Sequence, residues 1–235
     1  MNTLLLNGCS FGECWKPSDE FILALGMDKY VNISKSGTSF QRTVRSTIEW
    51  IAQNGNPGYV MIPITFSHRW ELALNQQEDD IDGSWIPLQK SNFISEKYKL
   101  QDTSVDKVKK LVDLYYGIIP TIKTYWDKMF MEIITFSAFL EKQKIQYLMW
   151  DMANGFDKEH LNIYLKPYKG FHKIKLIEDN PRIIDIWTFC GNRYMRDTMP
   201  EDLRKKTPEF AYHHGPKQYK ELEKYIMGYI DGISQ

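Results

Sequence analysis

The chain has 235 residues, 43% of them apolar, which suits one large domain around a single sizeable core. Lysine plus arginine and aspartate plus glutamate number 30 each, so no global field exists to hold a nucleic acid mainly through its phosphates. Cys9, Cys14 and Cys190 are odd in number and form no disulfide framework. The N-terminus lacks the basic region and long apolar core of a secretion signal, and no run approaches the roughly 18 apolar residues of a membrane span, so a soluble, intracellular protein is expected.

In chain order, Thr3 to Leu6 is a short apolar run stopped by Asn7-Gly8 and reads as a buried strand. Ser18 to Leu25 reads as a short helix with Gly26 as its stop, and Tyr30 to Ile33 as a second strand. After the turn Ser36-Gly37-Thr38-Ser39, the residues Phe40, Val44, Ile48 and Ile51 recur at helical spacing. Tyr59 to Ile64 reads as a third strand, whose Pro63 belongs near its C-terminal end. From about Arg69 to Thr103 the pattern fails, and a connection of this length reads as an insertion or a lid-like segment. Val105 to Lys144 is helical in pattern, and Gly117 and Pro120 make it two helices or one kinked helix. Ile145 to Trp150 reads as a fourth strand and Lys173 to Ile177 as a fifth. Ile183 to Trp187 reads as an edge strand or helical turn, and Gln218 to Ile230 as a closing helix. Strands alternating with helices predict a single domain, 1–235, of the flavodoxin-like three-layer α/β/α class, with a central parallel sheet of about five strands. The first strand is expected in the sheet interior between the second and third. Ligands in such sheets bind beyond the carboxyl ends of the strands, which selects Gly8 to Trp15, Ser34 to Ser39 and Thr65 to Arg69.

The strongest local signal is Asn7-Gly8-Cys9-Ser10-Phe11-Gly12, directly after the first strand. A serine on a tight turn there projects over the sheet edge, and its own amide can face a developing oxyanion. Such a serine needs a base to become a nucleophile. Tyr212-His213-His214-Gly215-Pro216 lies just before the closing helix and supplies two candidates if that helix packs beside the first strand.

Gly8-Cys9-Ser10-Phe11 resembles the first block of the SGNH (GDSL-like) hydrolases, in a divergent Gly-Cys-Ser-Phe form that looks like one found in phage-encoded and bacterial members. Asn32 to Ser39 is similar to the second block, with Gly37 at the position that gives a backbone amide to the oxyanion hole. Ile62 to Leu72 resembles the third block, and His213 to Tyr219 the last. The resemblance implies a serine hydrolase acting on an ester, such as an O-acyl (acetyl) group on a carbohydrate. Ser10 would be the nucleophile and His213 the base, with His214 the alternative base. The amides of Ser10 and Gly37 would form the oxyanion hole. Neither a metal nor an organic cofactor is implied, and the partner would be a small-molecule or carbohydrate ester.

The chain departs from the pattern in two places. Thr65 stands where the family offers an asparagine to the oxyanion hole, and its hydroxyl can donate only one hydrogen bond. Phe210 stands where the family has an aspartate, and Glu209, one residue away, is the nearest carboxylate to orient the imidazole. These gaps leave an alternative of another class, a non-catalytic binding or structural module with a degenerate site. A nucleotide binder is disfavoured because the first turn lacks both the Walker spacing and Gly-x-Gly-x-x-Gly. Cys9 and Cys14 read as packing, His68-Arg69 as a surface or salt-bridge pair with anionic-substrate binding the alternative, and Trp15, Trp70 and Trp85 as core or lid packing with stacking on a sugar ring the alternative. Asp79, Asp80 and Asp82 lack the glycine-bearing spacing of a calcium loop and read as a solvated acidic segment. Asp151 reads as a helix cap or a site residue at a strand end.

Overall fold

The run Thr3–Leu6 is buried on both faces, and that requirement organises the molecule. The computed structural model describes residues 2–65, 69–73, 85–88, 102–118, 122–151, 183–185 and 216–233. Its elements are β1 (Thr3–Leu6), α1 (Ser10–Glu13), α2 (Asp19–Ala24), β2 (Lys29–Asn32), α3 (Phe40–Asn54), β3 (Tyr59–Ile64), β4 (Trp70–Ala73), β5 (Trp85–Leu88), α4 (Asp102–Ile118), α5 (Ile122–Lys142), β6 (Gln146–Asp151), β7 (Ile183–Asp185) and α6 (Pro216–Ile233).

Five strands form one sheet in the order β2-β1-β3-β6-β7, and every pair in it is parallel. β1 lies inside the sheet between β2 and β3, as its apolar run predicts, and among the described residues β7 is at the edge. Alternate residues of each strand face opposite layers. Leu4, Leu6, Met61, Leu148 and Trp150 pack with Phe21 and Ile22 of α2 and with Tyr219, Leu222 and Ile226 of α6. Leu5, Val60, Ile62, Tyr147 and Met149 pack with Phe40 and Ile51 of α3 and with Trp126, Met129, Ile133, Phe136 and Leu140 of α5. The result is the three-layer α/β/α architecture, with the closing helix on the same face as the first strand's Leu4 and Leu6.

Local chemistry sets the element ends. The Ser18 hydroxyl accepts from the Phe21 amide to start α2, and Gly26, at φ 71°, takes the left-handed turn that ends it. Ser39 caps α3 in the same way through the Arg42 amide. Pro63 sits in an interior strand without loss of a bond. The Met61 carbonyl accepts from the Asn7 amide, so Met61 and Pro63 share the edge that faces β1, and β1 has already ended at Leu6.

The structure differs from the sequence reading at three points. Ser10 does not sit on an open turn but opens the one-turn helix α1, because Asn32 Nδ2 donates to the carbonyls of Gly12 and Trp15 and draws that segment onto β2. Residues 70–73 and 85–88 pair as an antiparallel hairpin where no strand is legible. The inward face of α3 is not the stripe Phe40, Val44, Ile48, Ile51. Ile48 is exposed and Val44 half-buried, while Arg42, Thr43, Ser46 and Thr47 are buried. The expected strand Lys173 to Ile177 lies outside the described residues, as does most of the segment 69–103.

Candidate functional site

Three loops leave the carboxyl ends of β1, β2 and β3, and backbone carbonyls hold them together. The Gly8 carbonyl accepts from the Lys35 amide at 3.0 Å and from the Thr38 hydroxyl at 3.5 Å. The Thr38 hydroxyl also reaches the Lys35 carbonyl at 2.7 Å. The Thr38 carbonyl in turn accepts from the Thr65 hydroxyl and from Arg69 Nη1, each at 3.4 Å. The first loop is therefore bonded to the second, and the second to the third.

Ser10 is largely buried at the first position of α1, and among the described residues nothing hydrogen-bonds its hydroxyl. Two close approaches fix its surroundings. A Cβ on Gly8 would lie 2.8 Å from Pro63 Cγ and 3.0 Å from the Pro63 carbonyl oxygen, so only glycine lets β1 turn past β3 here. A Cβ on Gly12 would meet Ser34 Oγ, which seats α1 directly on the second loop. From the other side, Glu13 accepts from the Ser36 amide at 2.8 Å and from the Ser36 hydroxyl, next to Gly37. Gly37 itself adopts φ 78°, a left-handed conformation that suits glycine.

Thr65 is buried directly after β3. Its hydroxyl donates to the Thr38 carbonyl and accepts from Arg69 Nη1 at 3.1 Å. Arg69 therefore belongs to the loop contacts and is more than surface charge. Beyond it, Glu71 forms a two-pronged ion pair with Arg45, Nη2 to Oε1 at 2.9 Å and Nε to Oε2 at 3.3 Å, and its amide donates to Gln41 Oε1. β4 is thereby docked on α3 at the carboxyl end of the sheet.

The N-terminal turn of α6 meets the same loop system. The Tyr219 hydroxyl donates to the Phe11 carbonyl at 2.7 Å, and its ring stacks on Trp15 with an interplanar angle of 6°. One turn on, buried Glu223 accepts from Trp15 Nε1 at 3.1 Å, from the Ser18 amide at 3.0 Å and from the Ser18 hydroxyl at 2.6 Å. Trp15 is thus a core residue held by a carboxylate. His213, His214 and Glu209 lie outside the described residues, as do His68, Asp79, Asp80 and Asp82.

Cys9 is fully buried among Leu4, Leu6 and Trp15, as a small packing side chain. Cys14 is exposed at the end of α1 and does not pack. Partial burial, then the neighbouring Glu13, push its thiol pKa up. Among the described residues no group of three histidine, cysteine, aspartate or glutamate side chains is placed to hold a metal. Among the same residues no helix is long and apolar enough to cross a membrane.

Sequence reasoning missed a buried polar cluster under the Ser10 loop, built from Asn7, Arg42, Thr43, Ser46 and Thr47. The available signal was the repeat of small hydroxyl residues at 39, 43, 46 and 47, one face of a helix whose other positions are larger.

No protein-family model matches the chain, and no curated protein matches it in sequence. Among solved structures, it is similar to the psychrotrophic esterase EstA from a Pseudoalteromonas species, inhibited by monoethylphosphonate. That match covers 99% of this chain and 98% of the esterase, at 13% identity and a TM-score of 0.48. It is also similar to a GDSL-like lipase from Bacteroides thetaiotaomicron, over 99% of this chain and 89% of that one, at 13% identity and a TM-score of 0.46.

Proposed function

We propose that the chain is a serine hydrolase of ester substrates, with an O-acyl group on a carbohydrate as the substrate class. The observation that carries this reading is the bond from Tyr219 to the Phe11 carbonyl, which brings the start of α6 to the residue beside Ser10. Four helical residues from Pro216 to Tyr219 rise only about 4.5 Å, and the three preceding residues span at most about 10 Å. The short chain distance from the Tyr219 anchor to His213 supports His213 as the base for Ser10.

In this reading Ser10 Oγ attacks the ester carbonyl carbon as His213 takes the hydroxyl proton. The amides of Ser10 and Gly37 receive the oxyanion. The Thr65 hydroxyl adds a third donor only by leaving the Thr38 carbonyl. Collapse of the tetrahedral species breaks the ester C–O bond, and the leaving alkoxide takes the proton from His213. Water then attacks the acyl-enzyme and gives its proton to His213. The Ser10 Oγ–acyl bond breaks, the proton returns to Ser10, and the carboxylic acid departs. Glu209 or a backbone carbonyl accepts from the other imidazole nitrogen and fixes the tautomer. No metal or organic cofactor takes part.

The engaged Thr65 hydroxyl favours a second reading, a binding module that keeps the fold without turnover. Covalent labelling by a fluorophosphonate probe separates the two. The hydrolase reading expects one adduct per chain, located on Ser10 and absent from Ser10→Ala. A folded chain that takes up no probe belongs to the second reading.

A further inference from the structure

Asn7 is fully buried three residues before Ser10, and its side chain is saturated with hydrogen bonds. Nδ2 shares its two hydrogens among the Thr43 carbonyl at 2.9 Å, Ser46 Oγ at 2.9 Å and Thr47 Oγ1 at 2.8 Å, all on α3. Oδ1 accepts from the Gly8 amide at 2.8 Å and from Arg42 Nη1 at 3.1 Å. The same Arg42 nitrogen donates to the Ile33 carbonyl at 2.7 Å. One nitrogen of a buried guanidinium thus joins the chain leaving β1 to the chain leaving β2.

Those two exits carry the two amides assigned to the oxyanion. Along the first, the Gly8 peptide is held at both ends: its N–H by Asn7 and its carbonyl by Lys35 and Thr38. Along the second, the Ser34 amide is held by Asn32 Oδ1 at 3.0 Å, directly after the Ile33 carbonyl that Arg42 holds. A buried guanidinium is costly to desolvate, and apolar packing would join α3 to the sheet at less cost. What the guanidinium adds is a defined angle between two backbone segments, which apolar contacts do not impose. Donors aimed before substrate arrives need no reorganisation during the reaction.

We propose that Arg42 and Asn7 are positioning residues, which set the Ser10 and Gly37 amides in one fixed relation from beneath the loops. The proposal rests on the serine-hydrolase reading above. Neither side chain touches substrate; both act through the backbone.

The test compares wild type, Arg42→Met, Arg42→Lys and Asn7→Asp on p-nitrophenyl acetate, with enzyme counted by fluorophosphonate titration so that loss of folded protein does not masquerade as loss of rate. Arg42→Met should lower kcat about 10- to 100-fold, the scale set by misaligned oxyanion donors, with KM nearly unchanged. Arg42→Lys keeps the charge and donors on a shorter stem, and should recover much of that loss. Asn7→Asp keeps the acceptor for Gly8 and Arg42 but loses the donors to α3, so it should also lower kcat. Amide hydrogen exchange gives a readout independent of activity: Gly8 and the residues of 34–38 should exchange faster in Arg42→Met, while α5 amides do not change. If Arg42→Met fails to fold, Arg42→Lys and Asn7→Asp carry the same comparison. An active wild type whose variants keep kcat, or lose it only through KM, overturns the positioning role alone. Unchanged exchange in the two loops overturns it as well. A folded wild type that neither labels nor turns over ester overturns the hydrolase reading, and the positioning role with it.

Discussion

The Tyr219 hydroxyl donates a 2.7 Å hydrogen bond to the carbonyl of Phe11, which ties the first turn of the last helix to the residue after Ser10. Both groups are buried, and 208 residues of chain separate them. A contact of that kind brings two distant stretches of the sequence together.

Tyr219→Phe therefore has a defined expectation. The ring and its stack on Trp15 remain, and one buried hydrogen bond is lost, at a cost of about 1–2 kcal/mol. Urea denaturation should report that loss with an unchanged slope. Ser10 labelling by the fluorophosphonate should slow as well, because the start of α6 is no longer tied to α1. A variant that loses stability but labels at the wild-type rate would show that the bond serves the fold only.

Gly8→Ala probes the turn itself. The added methyl meets Pro63 Cγ at 2.8 Å and the Pro63 carbonyl oxygen at 3.0 Å, so β1 and β3 must shift apart. Overpacking of this sort costs typically about 1–3 kcal/mol. Adding Pro63→Ala removes the ring contact but leaves the carbonyl, so the double variant should recover part of the stability and not all of it. Full additivity of the two losses would mean that the alanine is accommodated elsewhere.

The contrast between what the sequence shows and what it hides has a physical basis. β1, β3 and β6 are legible because a strand buried on both faces must be apolar throughout, and Leu4-Leu5-Leu6 or Val60-Met61-Ile62 has no other good explanation. The break between α4 and α5 is legible because Pro120 lacks the amide a continuous helix needs. The helix α1 is not legible, since four residues have no period and Asn32 on another element shapes them. The hairpin 70–73 and 85–88 contains Glu71 and Pro87, which speak against a strand until Arg45 and Gln41 are seen to hold its first strand.

 That hold is the Arg45 ion pair to Glu71 and the Gln41 side chain on the Glu71 amide, both contributed by α3. Asn7 and Arg42 stayed hidden for a related reason: a polar residue after a strand reads as turn, and an arginine on a helix as solvated surface, until burial is known. The positions of Ser10, Gly37 and Thr65 beyond strand ends are legible in the sequence. The engagement of Thr65 with Thr38 is not, because it depends on how two loops meet.

Glu132 makes stability depend on pH. It lies on α5 where α3 and β4 pack against it, and burial raises its pKa from 4.5 to about 7, opposed by Lys128 and a hydrogen bond from Gln41 and reinforced by Glu71. Between those two pH values the folded chain holds a proton that the unfolded chain has released. The associated stabilisation is complete below about pH 4.5 and is lost as pH rises through about 7. Glu132→Gln replaces the protonated acid with a neutral group of the same shape. It should be more stable than wild type at pH 8, by up to about 3 kcal/mol, with the gain vanishing near pH 4.5. Thermal melts of both proteins across that range decide it, and parallel profiles would sink the assignment.

The pairing of Ser10 with His213 is the prediction with most at stake. His213 precedes Tyr219 by six residues and His214 by five, so both lie close in the chain to the Tyr219 anchor. The resemblance puts the base at His213 and the position usually held by proline at His214. Physically, the acceptor nitrogen of the base must come within about 2.6–3.2 Å of Ser10 Oγ in the reactive complex. Ser10→Ala and His213→Ala should each abolish turnover of p-nitrophenyl acetate with little change in melting temperature. The double variant should be no worse than either single one, because a nucleophile without its base is as idle as a base without its nucleophile. His214→Ala should keep most of the activity. Loss of activity in His214→Ala, with His213→Ala still active, would move the base one residue along the chain. Turnover surviving in both histidine variants, together with Ser10 labelling at the wild-type rate, would mean that neither imidazole activates the serine.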